Sequence, residues 1–497
     1  MLRSTIILTI LSLLSVLFNL IIQIILAYYF GTGIERDSFV LASTTPTYIT
    51  TICVGSIGVT LIPLLVEKNK STGNSINTIL IILSIVSLFF SIIVFAFSDV
   101  ITHILLHSNK TDILSSELLK ILSPTIFLLN LNAILTSLYH SKQRFFLPGI
   151  SSLIISITSL IFVILLNQKV GIKSLAYGQV MGSLLAFLIM LPIIKHQNLQ
   201  INFRLTDPSF LLFLRNILPL LITGLLFKSY SIVERSYASS MEQGSISFLA
   251  YSSQIWSIAA SISINSIVIT SFPKISKLFI DNQVSILGEN FRQIFRVILL
   301  LAFPIVFILY FFGTEIIQIV FERGVFTHRS TIFVYNAIVF SSLYFISQCL
   351  GAFLSRIFNI AKKNNLLFYI SAFEFLVYIC IASLKLFNNS FLGLSTALSI
   401  SSLFNILISL ILINNNIIQF RWKILFLEST KIIFVSFLSV FFVKYFVYPF
   451  LNFNEIVKLL VSFSIIITLG FIIAALLKIK EVYYLKTYIN KLSWWKR

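Results

Sequence analysis

Three charged side chains sit where an apolar run leaves them little water. Residues 210–236, from "FLLFLRNILPLLITGLLFKSY" into "SIVERSYASS", are long enough to cross a bilayer, yet they contain Lys228, Glu234 and Arg235. A charge at the centre of hydrocarbon costs about 2.5–3.5 kcal/mol on insertion scales, so such residues mark a wet or paired face. Lys228 and Arg235 are seven residues apart and share one helical face. Glu234 points about 100° away from Arg235 around the helix. The two need not pair. Glu374, in "YISAFEFLVYIC", is a second acid in an apolar run. It fits either a coupling cation or proton, or a structural partnership with a buried base.

Neutral polar residues repeat this placement. Ser12, Ser15, Asn19 and Gln23 fall on one face of the first apolar run, and Gln254, Ser257, Ser261 and Asn265 have the same spacing in another. A third run carries Thr44, Thr45, Thr47, Thr50, Thr51, Ser56 and Thr60. Such stripes line a hydrated cavity, or they tie packed membrane helices together through side-chain hydrogen bonds. Serine and threonine alone favour the second reading; the charges favour the first.

Other chemistry is not indicated. His103 and His107 in "HILLH" have metal-ligand spacing, but no HExxH motif accompanies them and no third ligand stands convincingly near, although Asp112 and Glu117 follow. Cys53, Cys349 and Cys380 lie in apolar runs without CxxC spacing. There is no phosphate-binding glycine loop, no nucleophile elbow and no paired intramembrane carboxylate, so an ATPase is excluded and no catalytic residue or metal is expected.

The elements that must position these residues are membrane helices. The chain is 58% hydrophobic and only 11% charged, with mean hydropathy +0.99; soluble domains are nearer 25% charged. Apolar runs predict about fourteen spans, near 5–30, 38–66, 76–98, 118–140, 147–167, 172–194, 210–236, 245–271, 293–312, 331–355, 365–387, 391–413, 427–449 and 456–478. The formal charge of +19 invites a nucleic-acid reading, but most of the Lys and Arg cluster in alternate loops. Lys142 and Arg144, Lys362 and Lys363, and Arg421 and Lys423 all fall on the side that also holds both termini. That is the positive-inside bias, with both termini cytoplasmic and no nucleic-acid partner. The basic, aromatic tail "EVYYLKTYINKLSWWKR" fits a helix on the inner leaflet or a plain solvated tail.

Residues 38–68 and 247–277 both open with Ser-Phe, run rich in Ser and Thr, and close with Pro then Lys, at Pro63 and Pro273. Each is the second helix of a six-helix group. The expectation is therefore an all-α polytopic membrane protein: an N-lobe over 1–196, a C-lobe over 197–414, two further spans over 415–478 and a cytoplasmic tail over 479–497. The lobes would be pseudo-symmetric around a central cavity, a transporter architecture.

Four stretches carry a family resemblance: "YYFGTGIERDSFVLASTTP" (28–46), "LYHSKQRFFLPGISSLI" (138–154), "FLAYSSQIWSIAASISINSIVITSFPKISKL" (248–278) and "IVFERGVFTHRST" (319–331). The chain resembles the MurJ/MviN lipid II flippases of the multidrug/oligosaccharidyl-lipid/polysaccharide exporter superfamily, as a divergent member. "FERGVFT" is the most specific motif.

The resemblance implies a monomeric transporter of the bacterial inner membrane, not an enzyme. Its partners would be membrane lipids and a polyprenyl-diphosphate-linked glycan, moved between leaflets by alternating access for peptidoglycan synthesis. A groove on the last two spans would take the lipid tail. No cofactor is implied beyond a coupling cation, sodium or proton, or the membrane potential. On that reading Lys228 and Arg235 contact the diphosphate, Gln254, Asn19, Gln23 and Asn265 hydrogen-bond sugar, and Glu234 and Glu374 hold the coupling ion.

The sequence departs from the family pattern in one region. Val16 and Ile22 stand where arginines are expected, Gln23 where an acid is, Thr50 and Thr51 where arginine is common, and Ser253 and Gln254 where an acid–arginine pair is expected. This leaves open a cation-coupled exporter of another lipid-linked polysaccharide or small amphiphile, or a non-transporting paralogue, on the same scaffold.

Overall fold

The computed structural model describes residues 2–66, 73–105, 112–196, 208–263, 271, 275–279, 281, 284–384 and 390–477. Among them the regular structure is helical throughout. Hydrocarbon offers backbone groups no partner, so apolar runs satisfy their own N–H and C=O groups as helices. The residues on the outside confirm the setting: Phe89, Leu165 and Phe426 are exposed, while Ser174, Ser402 and Asn130 are buried. Many of the buried hydroxyls bond to a carbonyl of their own helix, as Ser137 does to Ala133 and Ser159 to Ile155.

In chain order the helices are α1 (Leu2–Phe30), α2 (Ile34–Val66), α3 (Gly73–Ala96), α4 (Ser98–Leu105), α5 (Asp112–Leu122), α6 (Pro124–Ser141), α7 (Phe146–Val170), α8 (Lys173–Met190) and α9 (Pro208–Ser239). Then come α10 (Ser245–Ser263), α11 (Val284–Phe321), α12 (His328–Phe340), α13 (Ser342–Ile360), α14 (Asn364–Ala382), α15 (Phe391–Asn416), α16 (Trp422–Phe442) and α17 (Glu455–Leu476). Among the described residues, thirteen helical spans are long and apolar enough to cross a membrane. The fourteenth expected span corresponds to α10, whose continuation toward residue 271 falls largely outside the described residues.

Several boundaries differ from expectation for identifiable reasons. The second span starts at Ile34, not at 38, so Arg36 and Asp37 belong to helix rather than loop. The fourth span is broken into α5 and α6 at Ser123, with Pro124 opening the second piece, where its missing N–H does no harm. The tenth is broken into α12 and α13 at Ser341, whose hydroxyl accepts the Trp256 indole N–H at 2.9 Å. The ninth runs to Phe321, well past 312, and the 99–117 connection contains α4 and most of the first turns of α5.

The molecule divides into two compact units. The first holds residues 1–250 with the short segments 323–327 and 389–391; the second holds the remainder. In the first, α7 and α8 form a hairpin turned at Gly171 (φ 58°). Gly178 and Gly182 lie so close to α7 that a Cβ on either would stand 2.7 Å from Ser159 Cα or 2.9 Å from Ile155 Cα, a small-residue contact typical of membrane helices. One core of this unit joins α1, α2, α3, α5, α6, α7 and α8 around Leu26, Leu118, Ile126 and Val163. A second joins α2, α3, α6 and α9 around Leu61, Ile79, Ile134 and Phe213.

In the second unit, α11 packs on α16 and α17 through Phe312, Val440, Val443 and Ile466. Two ion pairs brace α11 to the same neighbour chain segment, Arg296 with Glu428 and Glu315 with Lys444. A π-helical turn at Val443–Val447 carries Lys444, whose ammonium also sits 4.5 Å from the ring centre of Phe312.

Candidate substrate and ion site

In the first unit the polar side chains gather on one stripe of α2. Arg36, Val40 and Thr44 are four residues apart and line one helical face. Arg36 is 5% exposed, and its Nη2 donates to Gln23 Oε1 on α1 at 2.7 Å. Arg235, reaching across from α9, donates through Nη1 to the Val40 carbonyl at 3.2 Å and to Thr44 Oγ1 at 2.5 Å. Thr44 in turn donates to Val40 O at 2.9 Å. Gln23, Arg36 and Arg235 are thereby held by three helices on one polar seam.

One residue further on, Asp37 faces another way. Its Oδ2 accepts the Gly244 N–H at 2.7 Å, and its Oδ1 accepts the Ser247 N–H at 2.8 Å and the Ser247 hydroxyl at 2.5 Å. This carboxylate caps the N-terminus of α10 from some two hundred residues away, where helix N–H groups and the helix dipole favour an anion. The same end of α1 is tied to the "FERGVFT" turn by Val325 N–H donating to Tyr28 O at 3.0 Å. Gly324 (φ 61°) is required there, since a Cβ would collide with the Tyr28 carbonyl.

In the second unit Glu374 on α14 accepts Nδ2 of Asn405 on α15 at 2.5 Å, and Asn405 Oδ1 accepts Ser409 Oγ at 3.3 Å. Its partner is an amide, not a base. Gln254 is half-buried on α10. Asn19 is exposed on α1.

Two expected residues are not fully described. Lys228 is helical in α9, but its side chain lies outside the described residues, as does Asn265 entirely. Pro273, His107 and the tail over 479–497 lie outside them too. His103 is exposed, and among the described residues no three His, Cys, Asp or Glu groups could hold a metal. The hydroxyl stripe of α2 divides: Thr44 meets Arg235, whereas Thr50 and Thr60 bond to Pro46 O and Ser56 O of their own helix.

Arg36, Asp37 and Asn405 were not singled out by sequence reasoning as site residues. A signal for the first two exists. Gly31 and Gly33 mark a turn, and acidic Glu35 and Asp37 suit the first turn of a helix starting just after it.

A sequence model of the family described as "Lipid II flippase MurJ" matches residues 26–467. The chain belongs to the MurJ lipid II flippase family. A probable lipid II flippase MurJ of Buchnera aphidicola subsp. Acyrthosiphon pisum is 24% identical over 459 residues, covering 88% of this chain and 87% of the relative. The corresponding protein of Rickettsia prowazekii is 24% identical, covering 81% of this chain and 82% of the relative. The lipid II flippase MurJ of Thermosipho africanus is 31% identical over 205 residues, which is 39% of this chain. A solved structure of lipid II flippase MurJ in an inward closed conformation superposes with TM-score 0.82 at 23% identity, over 95% of this chain and 98% of that one. A multidrug resistance MATE family transporter, inward-facing, follows the fold more loosely, at TM-score 0.64 and 12% identity over 81% of this chain. In this member of the family the first unit carries a polar seam of Gln23, Arg36 and Arg235.

Proposed function

We propose that this chain is a lipid flippase that carries a polyprenyl-diphosphate-linked glycan, lipid II in peptidoglycan synthesis, from the inner to the outer leaflet of a bacterial inner membrane. The observation that carries the reading is the family match over residues 26–467. The polar seam of the first unit supplies the chemistry. A guanidinium presents five N–H donors in a planar fork matched to phosphate oxygens. Among the described residues Arg235 uses Nη1 to hold Val40 and Thr44, which leaves Nη2 and Nε to grip a phosphate while α2 fixes the fork. Lys228, seven residues before Arg235 in the sequence, adds a second positive charge. Gln23, Gln254, Asn19 and Asn265 offer amides to sugar hydroxyls. Glu234 and Glu374 take the coupling cation, with Asn405 orienting Glu374. The chain acts as a monomer with both termini in the cytoplasm, and it moves its substrate without chemical change.

The test is rescue. A bacterium depleted of its own lipid II flippase expresses this chain, and lipid II exposed at the outer face is quantified. Restored exposure is expected. Absence of exposure with the protein inserted would overturn lipid II as the substrate.

A further inference from the structure

The fourth and tenth spans are broken in the same way. Each is a short helix followed by a longer one: α5 and α6 have 11 and 18 residues, and α12 and α13 have 13 and 19. The two spans hold the same place in their six-helix groups. One break has a proline beside it and the other has neither proline nor glycine, so local sequence does not account for the match.

At each break, serine hydroxyls answer the carbonyls. Pro124 has no N–H to give Lys120 O, and Ser123 Oγ donates to that carbonyl at 2.9 Å. Ser123 O in turn accepts Ser91 Oγ of α3 at 2.9 Å. In an unbroken helix Phe340 O would accept the Tyr344 N–H; here it accepts Ser399 Oγ of α15 at 2.6 Å. Ser341 Oγ bonds back to Ala337 O at 2.6 Å, a geometry that bends helices, and accepts the Trp256 indole N–H at 2.9 Å. All four serines are buried, where hydrocarbon offers the backbone no substitute. The longer segments are anchored to the sixth span of their group: Asn132 Nδ2 of α6 donates to Ser183 O of α8 at 3.2 Å, and Ser347 Oγ of α13 to Ser402 O of α15 at 2.9 Å. The Trp256 ring also stacks on Phe345 of α13, with centroids 4.4 Å apart. The ion pairs of the short segment α5, Lys120 with Asp99 and Glu117 with Lys173, lie at the surface, where such pairs hold weakly.

We propose that Ser123 and Ser341 are a matched pair of hinges, at which the short segments α5 and α12 tilt against the longer segments α6 and α13, each within its own unit. At Ser123 O and Phe340 O a neighbouring hydroxyl competes with the helix's own N–H groups for one carbonyl. Bent and straighter forms therefore make similar numbers of hydrogen bonds, which is what lets a span bend inside a bilayer without leaving backbone groups bare. The hinge is read from distances rather than transport, so its failure is separate from that of lipid II as the substrate.

The test is pulsed electron–electron distance measurement on the full chain in lipid nanodiscs, with its three cysteines replaced by alanine. One nitroxide pair, at Ile332 on α12 and Ile456 at the start of α17, reports the short segment. A second pair, at Asn359 near the end of α13 and Leu476 at the end of α17, reports the longer one; all four positions are exposed except Ile456's neighbours in the core. The first pair should show two distances and the second pair one. Ser399→Ala, which returns Phe340 O to the helix ladder, should change the ratio of the two distances about ten-fold, the worth of one buried hydrogen bond. Trp256→Phe, which keeps the stack on Phe345 and loses the N–H, should change it by a similar factor. The second pair should stay where it was in both variants, which also shows that they are folded. In the first unit Ser91→Ala should do the same to a pair at Ile113 on α5 and Leu165 on α7. A distribution at Ile332 and Ile456 that neither substitution moves, or an equal shift of both pairs, would overturn the proposal.

Discussion

Removing the Asp37 carboxylate should loosen one helix end in a measurable way. Asp37→Ala leaves the buried N–H groups of Gly244 and Ser247 without an acceptor. Each orphaned buried donor costs about 1–3 kcal/mol, and losing an N-cap costs about 0.5–2 kcal/mol in other helices. These two counts describe the same bonds, so they are not summed; about 2–4 kcal/mol covers both donors. At about 1.4 kcal/mol per decade, the first turn of α10 should open roughly 30 to 1,000 times more often. Asp37→Asn keeps one oxygen for Ser247 but turns an NH2 group toward a donor at Gly244, so its effect should be about half as large in free energy. Hydrogen exchange of the segment 243–250 reads this directly, since local opening governs amide exchange. The α7–α8 hairpin serves as the internal control and should exchange unchanged. If Asp37→Ala leaves exchange at 243–250 as it was, the cap is not holding α10 and the reasoning fails.

Two further effects follow from packing and charge. Gly178→Val should force α7 and α8 apart, because even a Cβ would stand 2.7 Å from Ser159 Cα. Overpacking of this kind costs about 1–3 kcal/mol, to be seen as a lower unfolding temperature in detergent, whereas a surface change such as Leu165→Val should leave it unmoved. Asp99, outside the spans, is held below the usual carboxylate range by its hydrogen bonds from Ser116 and Lys120 and by the Lys120 charge. A lowered native value means that the link between α4 and α5 is intact above about pH 4, the ordinary aspartate value, and is lost as pH falls through the lower native one. Mild acidification to pH 5 should therefore leave the α4–α5 contact unchanged by crosslinking, and Asp99→Asn should weaken it slightly at every pH.

Long apolar runs made the helices legible, because hydrocarbon admits few other structures. The charged face of α9 was legible for the same reason: Arg235 is expensive unless something holds it. What holds it was not legible. Val40 and Thr44 lie about 190 residues earlier, and single-sequence periodicity carries no information at that range. Arg36 and Asp37 were hidden by a four-residue error at the start of α2, where a charged pair beside two glycines reads as loop. The break at Ser341 had no proline or glycine to announce it; its partner Trp256 is 85 residues away. Pro124, by contrast, announced the α5–α6 break and was read through because the run over 118–140 is apolar enough on average to count as one span. Glu374 could be picked out as a costly acid, but a base was considered as its structural partner where the fold supplies an amide.

The most direct test of the central claim is translocation by the purified chain. Vesicles containing it and labelled lipid II are assayed for label exposed at the opposite leaflet, beside vesicles with Arg235→Gln at equal content and orientation. The account predicts exposure with the unaltered chain, loss of most of it with Arg235→Gln, and no movement of a polyprenyl glycan lacking the diphosphate. Equal translocation by the Arg235→Gln chain, or none by the unaltered one, would contradict it.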